Sequence, residues 1–239
     1  MLSINKIKYI KSLHQKKYRN LNHQFVIEGF KIINEIVNSN YIINDIYITS
    51  EFKENLNFET ITISDKEMQR ITGLKTPNNI LAVVNIPDNK PKVLKDELIL
   101  CLDSIQDPGN FGTIIRSANW FGIKTIICSL DTVELYNQKV LQSTMGAFVE
   151  TNIIYTDLQE FLLNYNNNIY GTFLEGKNIY KQKLNNRACI VMGNEGKGIS
   201  SDIQEFITHK LYIPSFGNVR AESLNVSIAT AVILSEFRK

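Results

Sequence analysis

Ile213-Pro-Ser-Phe-Gly-Asn-Val-Arg-Ala-Glu-Ser-Leu-Asn-Val-Ser-Ile-Ala-Thr-Ala-Val-Ile-Leu234 is the stretch on which the reading of this chain turns. A strand from His209 to Ile213 stops at Pro214, a loop carries Gly217, Arg220 and Glu222, and a helix is predicted from near Ser223. That helix has almost no polar face, since Leu224, Val226, Ile228, Ala231, Val232 and Ile233 spread around it. A helix apolar on every side is buried on more than one. Yet Ser223, Asn225, Ser227 and Thr230 are set into it, and buried polar groups need partners. Either they cap the helix's own N-terminus, as Ser and Asn commonly do, or they belong to a site. Two stretches upstream bear on the choice.

The first is Leu102-Asp-Ser-Ile-Gln-Asp-Pro-Gly-Asn-Phe-Gly-Thr-Ile-Ile-Arg-Ser-Ala-Asn-Trp-Phe-Gly122. A strand ends, a Pro-Gly turn carries Asn110, and a helix is predicted from Thr113 with Ile114, Ile115, Ala118 and Phe121 on its apolar face. Thr113, Arg116 and Trp120 then share the opposite face, at spacings of three and four. A helix N-terminus followed one turn later by a guanidinium suits a phosphate, although a plain strand–helix turn with a surface arginine looks the same. The second is Ile190-Val-Met-Gly-Asn-Glu-Gly-Lys-Gly198. Its glycines run G-x-x-G-x-G rather than the G-x-G-x-x-G of a dinucleotide loop, and Glu195 would repel a diphosphate. A nucleotide-dependent oxidoreductase is therefore disfavoured, and a tight turn around a neutral or cationic ligand fits better.

Around these stretches, short apolar strands alternate with helices. Strands are expected at 98–103, 125–129, 152–155, 169–174, 188–192 and 210–213, and helices at 113–121, 138–147, 158–164 and 201–206. That alternation predicts an α/β domain with a parallel sheet covered on both faces. Pro87-Asp-Asn-Lys-Pro-Lys reads as a linker, placing domains at 1–86 and 96–239 with 87–95 between them. In the first domain a helix is expected over 3–16, strands at 25–28, 45–49, 60–64 and 80–86, a helix over 29–37, and a capping box from Ser64 to Glu67. The pattern is a compact α/β/α unit.

Together the three stretches resemble the SpoU (TrmH-type) branch of the SPOUT RNA methyltransferases. Asp107-Pro-Gly-Asn110 with Arg116 looks like one family motif, Gly193 to Gly198 like a second, and Ala221-Glu-Ser-Leu-Asn-Val-Ser227 like the third. Phe25-Val-Ile-Glu-Gly29 and Thr76-Pro-Asn-Asn-Ile-Leu-Ala-Val-Val84 are similar to the family's RNA substrate-binding domain, of the kink-turn-binding ribosomal-protein type. The resemblance implies a ribose 2′-O-methyltransferase using S-adenosylmethionine, a deep trefoil knot at the C-terminus, and a homodimer through the C-terminal domain. It places Asn110, Arg116, Glu195, Ser223 and Asn225 on catalytic positions. It places Gly193, Ile213 and Leu224 against the cofactor, with Thr172 and Leu174 lining the pocket. The loop around Asn218 and Val219 is about two residues longer than the family pattern. Large-subunit ribosomal RNA is the expected substrate, with transfer RNA as the alternative. A non-catalytic RNA-binding or ribosome-assembly protein on the same fold is a third reading, against which the full catalytic set argues.

Charge points the same way. The net charge of this 239-residue chain is only +2, but residues 1–27 contain Lys6, Lys8, Lys11, Lys16, Lys17 and Arg19 and no acid. Lys6, Lys11, Lys16, Lys17 and Arg19 are the candidate RNA contacts, a polyanionic partner being the alternative to a solvated lysine-rich face. No run approaches a membrane span and Met1 to Asn20 lacks a signal-peptide core, so a cytoplasmic protein is expected. Cys101, Cys128 and Cys189 sit in apolar runs as core thiols, and His14, His23 and His209 are scattered, so no metal site is expected.

Overall fold

The computed structural model of the protein describes residues 1–88, 97–217 and 222–239. Most of the expected linker, and Asn218, Val219, Arg220 and Ala221 of the C-terminal loop, lie outside the described residues. The chain divides into two compact units, Met1–Asn89 with Tyr136–Val149, and Lys90–Leu135 with Glu150–Lys239.

In chain order the first unit begins with α1 (Ile4–Ser12), α2 (Lys16–Asn22), β1 (Gln24–Glu28), α3 (Phe30–Val37), β2 (Ile43–Ile48), β3 (Ile61–Thr62), α4 (Asp65–Ile71) and β4 (Ile80–Asn85). Its sheet runs β1-β4-β2-β3, antiparallel except for the β2–β3 pair. Alternation along β1 sends Val26 into a core with Ile7, Ile10, Met68 and Ile71, while Phe25 meets Tyr136 and Phe148 on the other face. The capping box is formed, with the Glu67 N–H donating to Ser64 Oγ at 3.3 Å and the Ser64 N–H to Glu67 Oε2 at 3.0 Å.

The single helix expected over 3–16 is instead two, and the reason corrects one assignment. Leu13 is buried, and its carbonyl accepts from Arg19 Nη1 at 3.1 Å rather than from a helical N–H, so the chain turns between α1 and α2. Arg19 is 4 % exposed and structural, not an RNA contact. Lys6 is paired with Asp45 at 2.7 Å, whereas Lys11, Lys16 and Lys17 are exposed.

β5 (Ile99–Leu102), α5 (Pro108–Trp120) and β6 (Thr125–Cys128) open the second unit, and α6 (Gln138–Thr144) returns to the first. Then follow β7 (Asn152–Tyr155), α7 (Leu158–Leu163), β8 (Asn168–Asn178), β9 (Ala188–Met192), α8 (Ser201–Gln204), β10 (His209–Tyr212) and α9 (Val226–Phe237). The sheet is β10-β8-β9-β5-β6-β7 with every pair parallel. All residues of β5, β6 and β9 are buried, which explains their unbroken apolar runs. Cys101, Cys128 and Cys189 are buried in these strands. The strand order reverses between β5 and β9, where open α/β sheets keep their ligand crevice, at the C-terminal strand ends.

α6 docks into the first unit through one carboxylate. Glu28 is 1 % exposed and accepts from Thr72 Oγ1 (2.6 Å), the Gly73 N–H (3.0 Å) and Gln138 Nε2 (2.8 Å), while its backbone carbonyl accepts from Gln142 Nε2 (2.8 Å). A buried charge is tolerable when its lone pairs are satisfied in this way. Glu28→Ala would leave the Thr72, Gly73 and Gln138 donors without their acceptor and should lower stability by about 3 kcal/mol, read from the urea midpoint.

Candidate active site

α5 starts five residues earlier than the sequence pattern suggests. Asp107 caps it, its Oδ1 accepting from the Asn110 N–H at 2.8 Å, and Pro108 takes the first helical position, where a missing N–H costs nothing. Asn110 therefore sits in the first turn of a helix rather than in a turn before it. The predicted faces hold: Ile114, Ile115 and Ala118 are buried, while Thr113, Arg116 and Trp120 are exposed.

α9 starts three residues later than expected, because Asn225 is its cap. Asn225 Oδ1 accepts from the Ser227 N–H (2.9 Å), the Ile228 N–H (3.4 Å) and Ser227 Oγ (2.6 Å). Thr230 Oγ1 donates to the Val226 carbonyl at 2.7 Å. Ser227 and Thr230, the buried polar residues of this helix, are thus satisfied within it. Asn225 does more, since its Nδ2 donates to Asn110 Oδ1 at 2.9 Å. Asn110 Nδ2 in turn donates to Glu195 Oε1 at 3.2 Å. A continuous chain of amides and carboxylate joins the loops after β5, β9 and β10 at the strand-order reversal.

Glu195 is the anchor of that chain. It also accepts the Asp107 N–H (3.1 Å) and the Gln106 N–H (3.3 Å). Partial burial works to raise its pKa, but hydrogen bonds from its own backbone, Asn110, Asp107 and Gln106 outweigh burial and hold the carboxyl below the usual range. A carboxylate so engaged positions a loop and is a poor proton acceptor.

The turn that presents Glu195 is self-braced. Asn194 and Gly198 exchange backbone hydrogen bonds of 3.0 and 2.9 Å. Asn194 Oδ1 accepts the Gly196 and Lys197 N–H groups, and its Nδ2 donates to the Ser104 carbonyl at 2.7 Å. A Cβ on Gly193 would lie 2.2 Å from the Gly198 carbonyl carbon, so only glycine fits there. Asn194 and Gln106 were not singled out from the sequence, and Asp107 was named only within a family motif, although Asp107-Pro108 is itself a helix-start signal.

Arg116 is exposed and makes no hydrogen bond or ion pair among the described residues. Ser223 likewise has no partner among them. Of the residues expected around the cofactor, Thr172 donates weakly to the Val191 carbonyl (3.4 Å), Ile213 is half-buried, and Leu174 and Leu224 are 72 % and 50 % exposed. Phe216, beside them in sequence, is 79 % exposed. β8 and β10 slip register between Lys210 and Leu211, which pair with Gly171 and Lys177, so residues 172–176 bulge out and carry Thr172 and Leu174. Exposed apolar side chains on loops following parallel strands, beside a turn built of glycines, fit a ligand with a flat apolar part. No group of three or more His, Cys, Asp or Glu residues suited to a metal occurs among the described residues, and no described helix is long and apolar enough to cross a membrane.

The second unit is an α/β protein with its polar cluster at the switch point of a parallel sheet. The SpoU rRNA Methylase family model matches residues 97–235, and the chain belongs to that family. An MRM3-like substrate binding domain matches residues 5–82. The chain is 30 % identical over 241 residues to the 23S rRNA (guanosine(2553)-2′-O)-methyltransferase RlmP of Bacillus subtilis, covering 98 % of this chain and 96 % of that protein. Among solved structures it resembles a TrmH-family protein from Porphyromonas gingivalis, with 34 % identity, a TM-score of 0.88, and 100 % and 98 % of the two chains covered. It also resembles the AdoMet-bound rRNA methyltransferase from Sinorhizobium meliloti, with 25 % identity, a TM-score of 0.84, and 100 % and 96 % covered.

The two functions of Asn225 can be separated. Asn225→Ala loses the cap and should cost about 1 kcal/mol in urea unfolding, whereas Asn225→Asp keeps the accepting oxygen and should stay within ~0.5 kcal/mol of the parent. Because the Glu195 pKa is lowered in the folded state, its stabilisation is complete above the usual carboxylate range and fades as pH falls through the folded value. Glu195→Gln should therefore flatten the acid limb of the stability–pH profile.

Proposed function

We propose that this protein transfers a methyl group from S-adenosylmethionine to a ribose 2′-hydroxyl of large-subunit ribosomal RNA. The observation that carries the reading is the Asn225–Asn110–Glu195 chain at the sheet's switch point, with Arg116, unpaired among the described residues, less than two turns further along α5. The near full-length similarity to RlmP favours ribosomal over transfer RNA as substrate. The match to a substrate binding domain over residues 5–82 supports a first unit that holds RNA, and we take the protein to work in the cytoplasm, which a ribosomal substrate favours.

The functional limits we adopt are 1–86 for RNA binding, 87–95 for the linker and 96–239 for catalysis, with the excursion 136–149 packed into the first unit. We assign Gly193, Ile213 and Leu224 to contact the cofactor, with Thr172 and Leu174 beside them. As the family resemblance implies, the C-terminal strand and helix would thread through a loop to make a trefoil knot. True knots are so rare that periodicity alone would never suggest one. S-adenosylmethionine, when bound, supplies an electrophilic methyl group on a sulfonium.

This chain's own residues supply position and charge. Asn110 is fixed from both sides, by Glu195 and by Asn225, and we assign Ser223, which has no partner among the described residues, to meet a ligand. Arg116 is the group left to receive negative charge. A guanidinium offers donors and no acceptor, so we assign it to an RNA phosphate and the developing ribose oxyanion. The hydroxyl proton then leaves to a phosphate of the substrate. Holding hydroxyl and methyl in line is a large part of the acceleration.

The exposed Trp120, Leu224 and Ile228 on or beside the packed α5–α9 pair support a homodimer through this face. Sedimentation at micromolar concentration should give a dimer, and Trp120→Glu should shift it toward monomer. A methyl-transfer assay on ribosomal RNA with labelled cofactor tests the reaction. Arg116→Ala should lower single-turnover transfer by ~10²–10³-fold with cofactor affinity by calorimetry unchanged. Arg116→Lys should recover little, since a point charge lacks the planar fork. Near wild-type transfer by Arg116→Ala would falsify its role.

A further inference from the structure

The second unit holds an open cleft of about 620 Å³ that none of the residues assigned above lines. It lies where β8 and β10 present one face of the sheet, with the loop 182–186 alongside. Asn168 and Asn186 lie at the start of β8 and just before β9, so the cleft begins at the N-terminal ends of these strands. The Asn110–Glu195 cluster lies beyond the C-terminal ends. Five residues of β9 separate the two, about 16 Å at strand rise.

Its chemistry is that of a nucleotide site. His209 packs against the buried Tyr170 with ring centroids 4.8 Å apart and planes tilted by 35°, and the Tyr170 hydroxyl accepts from the Asn185 N–H at 3.3 Å, so the platform is fixed. Thr208 Oγ1 lies 2.8 Å from His209 Nδ1 and sets the ring's orientation, leaving Nε2 available. The amides of Asn168 and Asn186 have no side-chain partner among the described residues. Amides of this kind read the donors and acceptors on a base edge. Lys177 and Lys183 are exposed and unpaired among the described residues, and no acid lines the cleft. The ring, the two amides and the two cations together match a base with its flanking phosphates.

We infer that this cleft binds one unpaired nucleotide of the RNA substrate, away from the nucleotide that is methylated. The inference rests on the reading of RNA as substrate but not on the catalytic assignments. Lys177 and Lys183 take the flanking phosphates, and His209 with Asn168 and Asn186 takes the base. Such a second grip would fix the register of the strand crossing the sheet and thereby select which ribose reaches Arg116.

The test uses the full chain and a fluorescein-labelled short oligouridylate, titrated by anisotropy at several salt concentrations. The double variant Lys177→Glu/Lys183→Glu should raise the Kd at least ~10-fold and flatten the log–log salt slope by about 1.4, the amount for two phosphates on a single strand. His209→Ala should raise the Kd by about 10-fold with the slope unchanged. In methyl transfer both variants should raise the KM for RNA and leave kcat and cofactor affinity as they were. Unchanged oligonucleotide affinity and slope in the double variant overturn the inference, even if methyl transfer proceeds. Weakened binding in a protein that transfers no methyl group would sustain the cleft and sink the proposed reaction instead.

Discussion

The seating of α9 on α5 is the constraint on which the catalytic unit depends. The two helices run parallel, tied at their N-termini by Asn225 to Asn110 and at their C-termini by Arg238, whose Nε and Nη2 donate to the Phe121 and Gly122 carbonyls at 2.8 and 3.1 Å. Parallel helices bring like dipole ends together, which is unfavourable unless each end is met by the opposite charge. Glu195 supplies the negative charge at the N-terminal end of α5, and Arg238 the positive charge at the far end. The electrostatics that let these helices lie side by side also build the site, since the carboxylate offsetting the dipole is the one holding Asn110.

That arrangement requires Glu195 to arrive at a fixed place, and the turn carrying it leaves little freedom. The Asn194–Gly198 backbone pair closes the turn, Asn194 ties it to the loop after β5, and Gly193 has no room for a side chain because Gly198 and Ile199 pass over it. The glycine-rich motif is therefore required first by its own backbone. A ligand lying on it would find a surface already formed, which lowers the entropy lost on binding.

Strand positions, the parallel sheet and the exposed face of Arg116 were legible because each follows from periodicity within a few residues. Helix starts were misplaced where a cap outvoted the apolar pattern: Asp107-Pro108 begins α5 before its apolar stripe, and Asn225 holds back α9 although Leu224 fits the stripe. The break between α1 and α2 was hidden for a different reason. It depends on Arg19 reaching back to the Leu13 carbonyl, and a lysine-rich stretch gives no sign which cation will be buried. The docking of α6 into the first unit was equally hidden, since Glu28 and Gln138 are 110 residues apart. Of the candidate site, Asn110, Glu195 and Asn225 were picked out through family motifs, whereas their hydrogen-bond order belongs to three-dimensional proximity alone.

The proton balance of the proposed reaction follows from that order. Glu195 has its oxygens directed at donors and its carboxyl held low, and Asn110 and Asn225 have no proton to accept or release at neutral pH. Asn110, Asn225 and Glu195 are thus committed to geometry, which leaves Arg116 as the charged group available to substrate. A site of this kind accelerates by placing its reactants and by meeting charge as it develops, so the base must come with the substrate. An RNA phosphate drawn to Arg116 would bring both the charge that the guanidinium neutralises and an oxygen able to take the hydroxyl proton. On this argument a substrate lacking that phosphate but keeping the ribose would bind and fail to react.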